Sequence, residues 1–135
     1  ETLFSLVGSE AAPDRPRSGR NLLPLIGTAN APEPWAPLAY GVYDLYNGIN
    51  FAVRAIRDTR WKYVWNPQEI DELYDLETDP YEMANRIDDP EVATVRLRLR
   101  EQLMLWLKEI GDDLPNRIDD LPPAGTVMAT RKPGP

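Results

Sequence analysis

The sequence predicts an α+β domain: a small antiparallel sheet of three to four strands packed by one long C-terminal helix, with extended N- and C-terminal arms. Three observations carry this. Residues 51–65 alternate with a period of two between short turn signals. Val92, Val95, Leu99, Leu103, Trp106 and Ile110 recur at steps of three and four. Ten of the 14 prolines cluster at Pro13–Pro16, Pro32–Pro37 and Pro115–Pro135, and proline removes a backbone donor and fixes φ. The packed part is therefore expected over residues 38–111, after a connector of residues 1–37 and before a Pro-rich tail of residues 112–135.

Along the chain, residues 2–7 form a short apolar run stopped by Gly8, which reads as the end of a helix. It is too short to stand alone, and its natural partner is a larger body upstream. Residues 19–27 form an apolar knot between two glycines. Residues 38–43 suggest the first strand. Asn47-Gly48 is a strong turn signal, because both residue types tolerate positive φ. Phe51, Val53 and Ala55 alternate with Ala52, Arg54 and Ile56 in the second strand. Trp61, Tyr63 and Trp65 alternate with Lys62 and Val64 in the third. Residues 73–76 form the last strand, ended by Asp79-Pro80. Short links between consecutive strands favour an antiparallel meander. Asp89 is a good N-cap, Pro90 suits the first helical position and Gly111 stops the helix. A helix over residues 90–110 spans about 31 Å. Leu97, Met104, Leu105 and Leu107 widen its apolar arc toward a second contact, whereas Arg96 and Arg100 read as a solvated edge. In the tail, Leu114 and Ile118 lie between two acidic pairs. An arm with apolar beads suits docking on a neighbouring domain or on a second copy in a homo-oligomer, and a frayed tail is the alternative.

The composition excludes several functions. A net charge of −7 argues against a nucleic-acid partner. No apolar run is long enough to span a membrane, and no membrane partner is expected. With no His and no Cys, there is no disulfide, no thiolate metal site and no imidazole base, and cysteine usage does not report the compartment. Ser5, Ser9 and Ser18 are the only serines, and none lies in G-x-S-x-G. The acidic run Asp71, Glu72, Asp75, Glu77, Asp79 and Glu82 lacks the spacing of a calcium loop and reads as strand edges and turn caps. No catalytic residue, metal ligand or cofactor site is expected in this chain. The chain opens on Glu1 rather than on a Met or a basic leader, which points to polypeptide upstream. The segment most suited to recognition is Tyr43 to Asn50, an expected loop rich in aromatic and hydrogen-bonding groups. From it Tyr43, Asp44, Tyr46 and Asn47 are candidate substrate contacts. Arg54 and Arg57 read by default as surface cations paired with nearby carboxylates.

Three motifs carry a resemblance: Gly19-Arg20-Asn21-Leu22-Leu23-Pro24-Leu25, Arg60-Trp61-Lys62-Tyr63-Val64, and Asp71-Glu72-Leu73-Tyr74-Asp75-Leu76 with Asp79-Pro80-Tyr81-Glu82 and Asn85. The chain resembles, over residues 1–111, the C-terminal region of the sulfatase family within the alkaline-phosphatase-like superfamily. The first motif is similar to G-R-S-L-L-P-L and the last to D-E-L-Y-D-L-x-x-D-P-x-E. Arg86 stands where the family usually has Leu.

The resemblance implies a small four-stranded sheet with one long helix, set beside an upstream α/β catalytic domain and helping to wall the active-site cleft. In such a parent a formylglycine, made from C/S-x-P/A-x-R, attacks a sulfate ester with the help of a divalent metal, usually calcium. Neither that motif nor the family's catalytic His is matched here, so no such role passes to a residue of this chain. The expected function is the C-terminal portion of a sulfatase-like hydrolase, packing on the catalytic domain and lining the substrate entrance. Two alternatives stay open: a stand-alone binding module without catalysis, and the same region of a phosphonate or phosphate monoester hydrolase.

Overall fold

The computed structural model describes residues 2, 6–8, 21–26, 38–46, 49–121 and 123. It holds two compact units, residues 1–36 and 37–135. In the first unit Thr2 and Leu6 are helical, Gly8 takes φ 65°, and Leu23–Leu25 forms a 3-10 turn. That turn is pinned at its start, where Leu22 N–H donates to Thr2 Oγ1 at 2.8 Å and Leu23 N–H to Asn21 Oδ1 at 3.0 Å. Most of the expected N-terminal helix and the rest of the connector lie outside the described residues.

The second unit is a sheet-and-helix sandwich. Strands β1 (Ala39–Tyr46), β2 (Ile49–Arg57), β3 (Trp61–Trp65) and β4 (Glu72–Asp75) pair antiparallel in the order β1-β2-β3-β4, and helix α1 (Ala93–Glu109) follows. The meander expected from the short turns is what forms. The register lines Ile56 against Tyr63 and Tyr63 against Leu73, so one face of three strands carries the fully buried side chains. Leu99, Leu103 and Leu107 of α1 close on that face, with Trp61, Trp65, Ala52, Ile87 and Val92 around them. Each fully buried aliphatic side chain contributes about 1.5–3 kcal/mol of gross stabilisation. Tyr40 of β1 stacks on Trp106 with ring centroids 4.3 Å apart and planes 9° from parallel, fastening the edge strand to the helix.

The helix departs from its expected stripe at one end. Leu107, not Ile110, is the last core residue; Ile110 is exposed. Leu99, Leu103 and Leu107 step by four and follow the helix axis, whereas Ile110 is the C-cap, where the chain leaves it. Gly111 takes φ 72°, Asp112 N–H donates to Leu107 C=O at 2.9 Å and Gly111 N–H to Lys108 C=O at 3.2 Å. This is a Schellman closure. At the other end Asp89 accepts from Glu91 N–H at 2.8 Å, as an N-cap should. Pro90–Val92 is a 3-10 turn that precedes the α-helix proper. Arg96 is not part of a solvated edge: its Nη1 donates to Ile87 C=O at 2.7 Å. Leu97 and Leu105 remain exposed. The expected tail begins with an anchored segment, because Leu114 is buried in the core and Leu121 packs against it.

The D-E-L-Y-D-L stretch is a set of turn and edge fasteners. Asp71 accepts from Tyr63 Oη–H at 2.6 Å and Asn66 N–H at 3.0 Å. Buried Asp75, only 1% exposed, takes both Nε and Nη2 of Arg60 at 2.9 and 2.7 Å. Asp79 accepts from Ala84 N–H at 2.9 Å, and Glu82, at φ 57°, pairs with Lys62. Asn85 seals the outer edge of β4: its Oδ1 accepts from Leu73 N–H at 3.0 Å, and its Nδ2 donates to Asp71 C=O at 3.1 Å. Arg86 N–H completes the edge on Leu73 C=O at 2.8 Å. The Arg60 and Arg86 guanidiniums lie over the Trp61 ring, 5.2 and 5.7 Å from its centroid.

Two outcomes follow. Asn85→Ala leaves the Leu73 N–H without its acceptor and lowers unfolding free energy by about 1–3 kcal/mol. Gly111→Ala forces a side chain into left-handed backbone in open space, with a smaller loss of about 1 kcal/mol. Urea unfolding of the two variants beside the parent checks both values and their order.

Candidate functional site

The expected recognition loop is mostly strand. β1 runs on to Tyr46 and β2 starts at Ile49, with Tyr46 paired to Ile49, so the hairpin closes in two residues. Asn47 and the side chain of Tyr46 lie outside what the structure describes. The pairing slips between Tyr43–Val53 and Leu45–Asn50, so two β2 residues, Phe51 and Ala52, stand against the single Asp44. This is a β-bulge on β2. Alternation along β1 sends Tyr43 and Asp44 to opposite faces of the sheet. Tyr43, 46% exposed, points away from the helix, and Asp44 stands on the helix side. Both are exposed on the edge strand of the sheet.

The charge on the helix side comes from Arg54, and its position was not foreseen. Arg54 is not a surface cation: it is 3% exposed and sits in the core-facing series of Ala52 and Ile56. Its Nε donates to Asp112 Oδ2 at 2.6 Å, its Nη1 lies 2.6 Å from Asp44 Oδ1, and Nη1 also donates to the carbonyls of Val53 at 3.0 Å and Tyr43 at 3.3 Å. Asp112 reaches it because the Schellman closure turns the chain back at Gly111, and Asp112 Oδ1 also accepts from Leu114 N–H at 2.9 Å. A cleft of about 420 Å³ lined by Met104, Lys108, Asp112, Asp113 and Asn116 borders this network. The available signal was the alternation itself, which put a cation on the inward parity with Ala52 and Ile56. Nothing local in the sequence marked Asp112 as its partner, 58 residues away.

Burial alone would raise the Asp112 carboxyl, but the Arg54 guanidinium and the Leu114 N–H outweigh it and hold it below the usual range. Asp58 behaves likewise: burial raises it, while the N–H donors of Trp61 and Arg60 and the Arg98 guanidinium bring it down. For Asp75 the Arg60 guanidinium is the largest influence and depresses it against burial. Burial, then the bond to Asp71, pushes the Tyr63 hydroxyl far up. The Tyr74 hydroxyl is raised to about 12 by burial and by Glu72.

Among the described residues no group of three or more acidic side chains is arranged to hold a metal ion. The sequence contains neither C/S-x-P/A-x-R nor any His. The described residues therefore do not fit a formylglycine or its metal. The rim of β1 carries an exposed aromatic ring on one face and an exposed carboxylate paired with Arg54 on the other.

A four-stranded antiparallel meander closed by one long helix defines the class, a small α+β domain. The family model described as N-sulphoglucosamine sulphohydrolase, C-terminal, matches residues 1–109, and the chain belongs to that family of sulfatase C-terminal domains. An ulvan-active sulfatase from Formosa agariphila is 28% identical over 115 residues, which cover 62% of this chain and 23% of that protein. A solved 2-O GAG sulfatase shares the fold at a TM-score of 0.72 and 22% identity, over 95% of this chain and 29% of that one. The phosphonate monoester hydrolase of Agrobacterium radiobacter superposes at 0.64 and 29% identity, over 80% of this chain and 23% of that one. The chain thus spans about a quarter of the length of these proteins.

The depressed carboxyls set the response to acid. A carboxyl whose folded pKa lies below its unfolded value adds stability above the unfolded value, and that stability is lost as pH falls through the folded one. Asp58, Asp75 and Asp112 all work in this direction, so the melting temperature should hold from neutrality and fall once pH drops below about 4. Asp75→Asn should start lower at neutral pH and show a shallower acid slope, which a melting series from pH 7 to 2 measures.

Proposed function

We propose that this chain is the C-terminal portion of a larger sulfatase-like hydrolase that cleaves sulfate esters. The observation that carries the reading is the family match over residues 1–109, supported by the sulfatases among the relatives and fold neighbours. In this reading the upstream part of the polypeptide holds the catalytic domain, with a formylglycine and a divalent metal, in keeping with calcium. The present chain packs on that domain, and the end of the β1–β2 hairpin lines the substrate entrance.

Tyr43, Asp44, Tyr46 and Asn47 are the proposed contacts to the non-sulfated part of the substrate. The support for Tyr43 and Asp44 is their exposure on the first strand of the sheet, 46% for the Tyr43 residue and 61% for the Asp44 side chain. Tyr46 and Asn47 enter from the pattern of the sequence alone. An aromatic ring and acceptor oxygens at a rim suit a hydroxyl-bearing group, because the ring covers its apolar face and the oxygens take its donors.

A second reading keeps the architecture and changes the ester. The phosphonate monoester hydrolase superposes at 29% identity, so a phosphonate or phosphate monoester is the competing substrate class. Assays of the full-length enzyme on 4-nitrophenyl sulfate and on a 4-nitrophenyl phosphonate monoester separate the two by their ratio of kcat/KM. The sulfate is expected to lead.

Replacing Tyr43 or Asn47 by Ala in that enzyme should lower kcat/KM on its preferred ester by about tenfold, mainly through KM, as expected for lost ground-state binding. Unchanged kcat/KM on several esters would remove the entrance role. Sequencing the polypeptide ahead of Glu1 tests the rest: C/S-x-P/A-x-R is expected there.

A further inference from the structure

Two carboxylates meet Arg54, and they are not equivalent. The Asp112 side chain is 9% exposed and already spends its other oxygen on the Leu114 N–H, so its bond to Arg54 closes the turn after the helix. The Asp44 side chain is 61% exposed, yet its Oδ1 sits 2.6 Å from the same guanidinium. An exposed aspartate on an edge strand ordinarily samples several rotamers, and an isolated surface pair adds little to stability. Here the cation is different. Arg54 is 3% exposed, and it is held by the Val53 and Tyr43 carbonyls and by Asp112 on the far side. The bulge adds to this. With Phe51 and Ala52 both set against Asp44, the strand bends where Asp44 stands. The result is one carboxylate oxygen tethered to a buried cation on a side chain that stays 61% exposed.

We propose that Arg54 is a positioning residue for substrate binding: it tethers Asp44 Oδ1 and so presents the remaining carboxylate oxygen as a fixed hydrogen-bond acceptor for a hydroxyl of a sulfated carbohydrate. This rests on the reading that the rim of the β1–β2 hairpin faces the substrate entrance. A pre-set acceptor loses less freedom on binding than a mobile one, so its effect falls on affinity for a hydroxyl-bearing substrate. The chemical step should not change, because neither residue reaches the reacting ester in this reading. A purely structural Arg54 predicts something else, a lower melting temperature with substrate preference intact.

The test uses the full-length enzyme and two substrates: 4-nitrophenyl sulfate, which offers no hydroxyl, and a monosaccharide sulfate that the wild type hydrolyses. Asp44→Ala is expected to raise KM for the monosaccharide sulfate about tenfold with kcat nearly unchanged, and to raise KM for 4-nitrophenyl sulfate by a much smaller factor. Arg54→Lys is expected to do the same, because an ammonium cannot make the forked contact to both carboxylates. The double variant should be no worse than either single one, since both remove the same contact. Should Arg54→Lys fail to fold, Asp112→Asn slackens Arg54 from its buried side without touching β1, and it should raise the same KM by a smaller factor.

If Asp44→Ala raises KM but neither Arg54→Lys nor Asp112→Asn does, the positioning role is overturned while the entrance reading survives. If Asp44→Ala changes nothing for either substrate, the entrance reading itself falls, and the proposal with it. Equal losses on both substrates, or a wild type that turns over 4-nitrophenyl sulfate but no monosaccharide sulfate, overturn the assignment of a carbohydrate hydroxyl.

Discussion

A guanidinium set into the wall of an apolar core is the constraint around which this domain is arranged. Arg54 lies on the same face of β2 as Ile56, and its charge needs partners where water does not reach. The fold supplies them from three directions: the carbonyls of two adjacent strands, a carboxylate on β1 and another just past the helix. The last fixes where α1 must stop. Were the helix one turn longer, Asp112 would continue along the axis instead of turning back beneath Arg54. The Schellman glycine, the helix length and the strand bulge therefore belong to one electrostatic solution.

The family signature has a similar physical meaning. Asp71, Asp75, Asp79 and Asn85 are spaced so that each serves a different turn or edge near β4, and Asp75 takes a bidentate arginine in a buried position. Arg60, which holds Asp75, and Tyr63, which holds Asp71, come from the turn before β3 and from its middle. This reciprocity explains why acidic residues dominate the stretch. They act as hydrogen-bond acceptors for backbone amides and cations that the meander would otherwise leave unsatisfied.

Much of this was legible from residues alone. The period of two in β2 and β3, the stepwise stripe of α1 and its Asp89 start each rest on local rules, and each appears in the structure. The local pattern ends strand β1 at residue 43, because Tyr43 to Asn50 looks polar and aromatic, and pairing with β2 overrides that pattern. The helical stripe runs on to Ile110, but the C-cap takes that residue out of the core. Arg54 shows the deeper limit. Its parity was visible, but a cation at an inward position is readable as buried only when its anions are known, and one of them lies 58 residues further on. Tyr43 and Asp44 are neighbours in sequence, and the pleat sends them to opposite faces.

The span between Arg54 and Asp112 also bears on how the chain acquires its shape. The meander is built from links of a few residues and closes at little entropic cost, whereas the bond from Arg54 to Asp112 joins segments 58 positions apart. Synthesis makes the four strands before the helix and the residue that follows it. Of the partners Arg54 has in the folded domain, Asp112 is the last to be made. The short stretch after α1 thus has a chronological importance out of proportion to its size.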